Sequence, residues 1–196
     1  MLKNILKLVF LGIVGFGLLV YLTAEKPKDV KNDVNRSTEL SLSGVPASLE
    51  LVGKENPVSS SEVFKTGQKT LVVVGNHDSL IIVKDLKKYF EIELPYVLVA
   101  NISKAPWFIK KWVVSGKLEE LNDDPTIPMI FDVDGSMVDS LNLDDTTKTS
   151  YFAYIIDENG SITNIYNGKV KEEAMDGSMN EEEKKASLKP LVDLLN

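Results

Sequence analysis

Cysteine is absent from this 196-residue sequence, and its absence excludes a broad range of chemistry. Without a thiol the chain forms no disulfide, no thiolate metal site and no centre for thiol–disulfide exchange. Histidine is almost absent as well, because His77 is the only one. A lone histidine with scattered carboxylates does not make a convincing transition-metal set, so we expect neither metal nor cofactor. The compartment stays open, because an oxidising space permits disulfides without requiring them.

Positive charge is also in short supply. The 22 lysines and arginines are outnumbered by 29 aspartates and glutamates, which gives a net charge of −7. Binding to nucleic acid needs clustered cations that displace phosphate counterions, so we expect no nucleic-acid partner. The hydrophobic content of 43% and charged content of 26% are typical of a globular protein of one domain plus an appendage.

Long hydrophobic runs are missing except at the start of the chain. Lys3 and Lys7 precede an apolar run that extends to Leu22 and approaches the length that spans a bilayer. No Ala-x-Ala cleavage site follows it, and a buried core helix is disfavoured because the run has no polar face. We predict an uncleaved single-pass anchor at 1–24 that places the following domain in the periplasm, at the inner membrane. Lys3 and Lys7 before the span favour this orientation, and the basic residues at 26–36 after the span weaken that preference.

The rest of the sequence divides into a tether and one folded domain. Residues 25–38 are polar and charged, which is typical of a flexible linker. Residues 39–196 carry the periodicities of strands and helices. These predict an N-terminal hairpin at 47–52 and near Val58, and strands at 70–74, 96–102, 127–131, 151–156 and 161–166. They also predict helices at 79–90, 105–114 and 180–195, and a short helix or turn at 136–143. Pro190 predicts a kink or a new start within the last helix.

The order of these elements predicts an α/β fold. Strand–helix–strand units imply right-handed crossovers between parallel strands, and the hairpin at 151–166 adds antiparallel strands. Helices would then cover both faces of a mixed central sheet in a three-layer sandwich. The motif Asp132-x-Asp134-x-Ser136 is predicted to be a turn that closes a strand. The EF-hand pattern fails because it needs glycine at Met137 and an acid at Leu143.

The corner after the strand at 70–74 is the strongest candidate site. The apolar run ends at Gly75 and helical periodicity begins at about Ser79, capped by Asp78 or by Ser79 itself. In sheets of this kind, ligands gather at such strand-to-helix corners. The candidate ligand or partner contacts are Asn76, His77, Asp78 and Ser79. Adjacent side chains at a helix start do not orient as a nucleophile, base and acid must, so we expect no catalytic residue.

Trp107 is a second candidate for partner binding. In the predicted helix 105–114, Trp107 and Trp112 point about 140° apart, so one face cannot bury both. Trp112 fits the core stripe better, which leaves Trp107 nearer the surface, where tryptophan suits a binding hot spot. The alternative is that Trp107 packs under a neighbouring loop or edge.

Several stretches together resemble the thioredoxin-like superfamily, and in particular its peroxiredoxin/TlpA-type branch and the YtfJ-type periplasmic proteins. The matching stretches are 45–51, 69–74, 131–138, 154–162 and 167–168, and the resemblance covers about 39–196. It implies a thioredoxin-like fold. The family's catalytic cysteine would fall near His77 to Ser79 and is absent, so thiol-disulfide oxidoreductase and thiol peroxidase activity are not implied. The family's cis-proline would fall at 147–150, and Pro128 is a rival for that role.

We therefore expect a membrane-anchored binding module of the cell envelope without thiol redox activity. It would bind an unidentified envelope or membrane protein, or a ligand at the corner, and the anchor would raise its effective concentration at the membrane. One alternative is an enzyme of unknown, cysteine-independent activity that uses His77 and Asp78. Another is a self-associating structural module that uses Trp107.

Overall fold

The computed structural model describes residues 39–104, 121–122, 126–145 and 147–195. The predicted anchor at 1–24, the tether at 25–38 and the helix at 105–114 lie outside these residues. None of the helices within them is both long and apolar enough to cross a membrane.

A six-stranded mixed sheet forms the centre of the domain, in the order β1-β8-β7-β4-β5-β6. Its strands are β1 (Leu40–Ser41), β4 (Thr70–Gly75), β5 (Tyr96–Asn101), β6 (Met129–Asp132), β7 (Ser150–Ile156) and β8 (Ser161–Lys169). Strands β4, β5 and β6 are parallel, whereas β7, β8 and β1 add antiparallel pairs. A separate antiparallel hairpin consists of β2 (Ser48–Leu49) and β3 (Val58–Ser59). The mixed sheet and both hairpins confirm the predicted strands, whereas β1, which pairs with β8, was not predicted.

Helices cover both faces of this sheet, as predicted. They are α1 (Ser60–Val63), α2 (His77–Val83), α3 (Leu86–Tyr89), α4 (Ser136–Ser140) and α5 (Glu181–Val192). One core cluster joins α2, α3 and α5 to one face, and a second joins α4 and the β2–β3 hairpin to the other. The domain therefore has two cores separated by the sheet, which is the layering of the predicted α/β sandwich.

Strand β4 shows why the apolar runs become central strands. Leu71 and Val73 belong to one core, whereas Val72 and Val74 belong to the other, and all four are at most 1% exposed. Successive side chains of a strand point to opposite faces, so a strand buried on both faces must be apolar at every position. Full burial of each such side chain contributes about 1.5–3 kcal/mol.

The hairpin between β7 and β8 depends on two glycines. Gly160 closes the turn with a φ of 83°, and the Asp157 carboxylate accepts the backbone N–H groups of Asn159 and Ser161. Gly168 lies opposite Tyr151, where an added Cβ would stand 2.1 Å from the tyrosine ring. The buried ring therefore occupies the space that a side chain at 168 would take.

The predicted helix at 79–90 is wrong in two respects. It begins earlier, with Asn76 as the N-cap rather than Asp78 or Ser79, and it is divided into α2 and α3. The division has a tertiary cause: the Tyr96 hydroxyl donates to the Lys84 carbonyl at 2.6 Å. That carbonyl would accept the N–H of Lys88 in a continuous helix, and this N–H bonds to the Asp85 carbonyl instead.

The last helix decides one of the two alternatives for Pro190. Helix α5 begins after its cap Asn180, one residue later than predicted, and runs through Pro190 to Val192, so the proline does not start a new helix. The peptide bonds of the described residues, including that before Pro128, are all trans.

Candidate functional site

The strand-to-helix corner encloses the hydroxyl of Ser79. The backbone N–H of Asn76 donates to Ser79 Oγ at 3.1 Å, and Ser79 Oγ lies 3.1 Å from the Asn76 carbonyl, to which it donates. Ser79 is completely buried. The pair forms the capping box that opens α2. Ser79 therefore has both its donor and its acceptor functions occupied by the backbone of the same turn.

Gly75 is required for this closure. A Cβ built on Gly75 would lie 2.2 Å from Ser79 Oγ, closer than any non-bonded contact permits. Only glycine at the end of β4 lets the first turn of α2 approach the strand this closely. The corner is thus a tightly packed junction between strand and helix.

Asp78 connects this corner to the segment that precedes α5. Its side chain is 6% exposed, and its Oδ1 accepts the backbone N–H of Met175 at 3.3 Å. Asn76, Asp78 and Ser79 therefore lie in one turn at the start of α2, and their contact with a ligand or partner stays a prediction. The backbone of His77 opens α2, but its side chain and all of Trp107 lie outside the part of the chain that the structure describes.

Polar side chains also lie at the carboxyl ends of the two neighbouring parallel strands. Asn101 and Asp132 are partners in the register of β5 and β6, and both are buried. Asn101 Oδ1 accepts the hydroxyl of Ser103 at 2.9 Å. The carboxylate of Asp132 accepts the N–H groups of Met137 and Val138 at 3.1 and 3.0 Å. Asp132 was predicted to lie in the turn after the strand, but it is the last residue of β6, and the use of its carboxylate as a cap of α4 was not predicted.

Burial dominates the titration of Asp132. The loss of water around the carboxylate raises its pKa to about 6, against the lowering effect of the two N–H donors, and the nearby Asp134 and Asp139 raise it further. Raised values of this size also occur at catalytic carboxylates. Here both carboxylate oxygens are engaged by the start of α4, so the arrangement supports a structural role.

A cavity of about 590 Å³ lies at the opposite, amino-terminal end of the parallel strands. It is bordered by the end of α1, the starts of β4 and β5, the junction of α2 with α3, and residues 121–122 and 126–129. Sequence reasoning missed it, because the residues that line it are spread over several segments of the chain between Glu62 and Met129. The available signal was the lysine group at 84–88, which the helical pattern placed away from the core.

The charged groups around this cavity are mostly lysines. Four lysines and two acids line it: Lys65, Lys84, Lys87, Lys88, Glu62 and Asp85. Lys87 Nζ lies 5.5 Å from the centre of the Tyr96 ring, and Lys88 Nζ lies 3.6 Å from a carboxylate oxygen of Glu181. The neighbouring Tyr89 and Asp85 raise the pKa of Lys88.

Metal binding finds no support in the described residues. Within 39–104, 121–122, 126–145 and 147–195, no three histidine, aspartate or glutamate side chains are grouped so that they could hold an ion.

No protein-family model matches the chain, and no curated protein matches its sequence. Several solved structures are similar to it, each at low sequence identity. Peroxiredoxin Q of Xanthomonas campestris has a TM-score of 0.46 at 11% identity, over 82% of this chain and 97% of that chain. An uncharacterized thioredoxin-like protein from Porphyromonas gingivalis has a TM-score of 0.40 at 17% identity, over 77% and 91%. MTB DsbF has a TM-score of 0.41 at 15% identity, over 72% and 98%.

Proposed function

We propose that this chain is a binding module of the cell envelope, built on a thioredoxin-like domain that carries no thiol chemistry. Residues 1–24 anchor it in the inner membrane, 25–38 form a tether, and 39–196 form an extracytoplasmic domain. Its partner is an envelope or membrane protein. A tether of this kind raises the effective concentration of the domain at the membrane, so a modest affinity is sufficient for function.

The main observation in support of this proposal is that the Ser79 hydroxyl is buried and hydrogen-bonded to the backbone. The sequence resemblance places the family's catalytic cysteine near 77–79, and the chain has no cysteine there or elsewhere. Ser79 does not replace it as a nucleophile, because its hydroxyl is buried and bonded to Asn76. A nucleophilic serine needs both access to substrate and a base within hydrogen-bond reach. The Ser79 hydroxyl therefore fixes the start of α2 to the end of β4, and it is not placed to act as a nucleophile.

The enzyme alternative receives less support from the same corner. A general acid or base must reach the substrate, whereas Asp78 is 6% exposed and directed at the backbone of Met175. The raised pKa of Asp132 belongs to a carboxylate whose two oxygens cap α4. Neither carboxylate is available for chemistry in this arrangement.

Placement of the domain is tested with a reporter fused after Asn196. The proposal predicts activity of an extracytoplasmic reporter, such as alkaline phosphatase, and inactivity of one that works only in the cytoplasm. The opposite pair of results would refute the proposed location. Extraction of the chain by detergent, but not by high salt or alkaline carbonate, would support the anchor, because buried apolar surface and not charge would retain it.

Partner binding is tested by photocrosslinking in cells. A photoreactive residue is placed at 107, at 77, or at the exposed loop position 148 as the matched control, and crosslinked products are identified by mass spectrometry. The proposal predicts one dominant envelope partner at 107 or 77 and none at 148. Crosslinks between copies of the chain alone would favour the self-associating module, and no specific product at 107 or 77 would contradict the proposal.

A further inference from the structure

We propose that the cavity at the amino-terminal ends of β4, β5 and β6 binds a small organic anion that has an apolar or aromatic portion. This site lies at the opposite end of the sheet from the Gly75–Ser79 corner. It goes beyond the proposed function, because binding here requires neither the membrane anchor nor the envelope partner.

The cavity has the size of a small-molecule site and a partly apolar wall. A volume of about 590 Å³ lies within the range of about 300–1,000 Å³ that is usual for small-molecule sites. Apolar residues form part of the wall: Val63, Pro95, Ile127 and Pro128 are half-buried there, whereas Val97, Leu98 and Met129 are buried behind it. Such a wall favours a ligand with an apolar body, which is removed from water on binding.

Positive charge is in excess among the described residues of this cavity. The chain as a whole carries a net charge of −7, yet among the residues that the structure describes, four lysines and two acids line the cavity. Asp123 and Asp124, which follow the lining residue Asn122, lie outside the described residues. A local excess of cations on an acidic protein attracts anions and repels cationic ligands.

Two of these lysines are available to a ligand. In the parts of the chain that the structure describes, neither Lys65 nor Lys87 forms an ion pair, and both are exposed. Lys87 Nζ lies near the face of the Tyr96 ring, which holds the ammonium group at the cavity wall. Lys65 follows α1 at another border, so the two ammonium groups belong to different segments of the rim.

The test uses three probes on the purified full chain in a nonionic detergent. Phenyl phosphate combines an anion with an aromatic body, inorganic phosphate provides the anion alone, and benzyl alcohol provides the body alone. Affinities are measured by isothermal titration calorimetry at two salt concentrations. The site variant is Lys65→Glu with Lys87→Glu, and the matched control is Lys148→Glu, which changes an exposed lysine that does not line the cavity.

We expect phenyl phosphate to bind at one site per chain, at least about fivefold tighter than either simpler probe. The double charge reversal should weaken binding at least about tenfold, and Lys148→Glu should change it by less than about twofold. Higher salt should weaken binding to the unmodified chain. Circular dichroism verifies that the variants are folded.

Lysine labelling with acetic anhydride and mass spectrometry provides an independent readout. Saturating phenyl phosphate should protect Lys65 and Lys87 and leave Lys148 unchanged. Absence of saturable binding, equal binding of inorganic phosphate, or binding unaffected by the double reversal would each overturn the proposal. Because partner crosslinking at 107 and 77 is measured separately, failure of this site leaves the proposed function standing.

Discussion

Replacing Gly75 by alanine should place a methyl group where the Ser79 hydroxyl now stands. The added Cβ would lie 2.2 Å from Ser79 Oγ, while Ser79 Cβ and the nearest Leu80 methyl are 3.4 and 3.5 Å away. The conflict is therefore with one oxygen atom. That oxygen is fully buried and makes two hydrogen bonds to the Asn76 backbone, so it has no free space to enter.

The cost of Gly75→Ala follows from these contacts. Displacing Ser79 Oγ loses two hydrogen bonds of about 1 kcal/mol each, and forcing a methyl group into a packed site costs a further 1–3 kcal/mol, roughly. The lower entropy of alanine in the unfolded chain offsets about 0.4–1 kcal/mol. We expect the free energy of unfolding to fall by about 2–4 kcal/mol, a large part of the roughly 5–15 kcal/mol typical of a domain.

A double-mutant cycle separates this clash from other effects. Ser79→Ala alone should cost about 1–2 kcal/mol, because it removes the hydroxyl from the capping box. Gly75→Ala combined with Ser79→Ala should cost about the same as Ser79→Ala alone, because the remaining Cβ–Cβ distance of 3.4 Å is an ordinary contact. The double variant should thus be at least about 2 kcal/mol more stable than additivity predicts.

Urea denaturation followed by circular dichroism measures each member of the cycle. Gly44→Ala is the matched control, because a Cβ on Gly44 meets no atom within 4 Å, and its stability should change by less than about 0.5 kcal/mol. Additive costs in the cycle, or a neutral Gly75→Ala, would refute the view that this corner is a closed junction.

Three further predictions concern the rest of the domain. Burial raises the pKa of Asp132 from 3.8 to about 6, so the folded state binds a proton more tightly than the unfolded state. The contribution of Asp132 to the free energy of unfolding should therefore fall by up to about 3 kcal/mol as pH rises from about 4 to 6. Asp132→Asn should remove this pH dependence from free energies of unfolding measured between about pH 4 and 7. Gly168→Ala should cost about 3 kcal/mol or more in urea denaturation, because the Tyr151 ring, fixed by its hydroxyl at the Ser187 carbonyl, occupies the space; a cost below about 1 kcal/mol would contradict this. Asn180→Ala should lower the free energy of unfolding by about 1 kcal/mol and so lower the midpoint temperature of thermal unfolding, because the Asn180 side chain caps α5 by accepting the N–H of Glu183. An unchanged midpoint would contradict this role of the cap.

The central strands could be predicted because their signal is local. A strand buried on both faces is apolar at every position, and the runs at 70–74 and 96–102 lie within one residue of β4 and β5. The turn at 157–160 was equally readable, since aspartate and glycine supply the hydrogen bonds and the positive φ that the turn requires.

The start and division of the helix at 77–89 could not be predicted in the same way. Asn76, Asp78 and Ser79 are all good N-cap residues, so local preference does not choose among them. Packing against Gly75 selects Asn76 as the cap and places Ser79 at the third helical position. The division at Lys84 depends on the hydroxyl of Tyr96, a residue of another strand, which no helical periodicity contains.

The candidate sites at the two ends of the sheet differ in how well the sequence predicts them, for the same reason. The candidate residues at the corner are consecutive in sequence, so Asn76, Asp78 and Ser79 were found together. The cavity at the amino-terminal ends draws on segments from Glu62 to Met129, and it exists only after these segments have been brought together by the fold. Sequence patterns identify such sites only when a motif is continuous in the chain.

The most direct test of the closed corner is the reactivity of a cysteine at position 79. Because the chain has no cysteine, Ser79→Cys carries a single thiol, and Lys148→Cys provides an exposed one for comparison. In the folded state we predict that iodoacetamide labels Cys at 79 at least about 100-fold more slowly than Cys at 148, with equal rates in urea. Comparable rates in the folded state, with labelling that persists below pH 7, would show an open, thiolate-stabilising corner and would contradict the account.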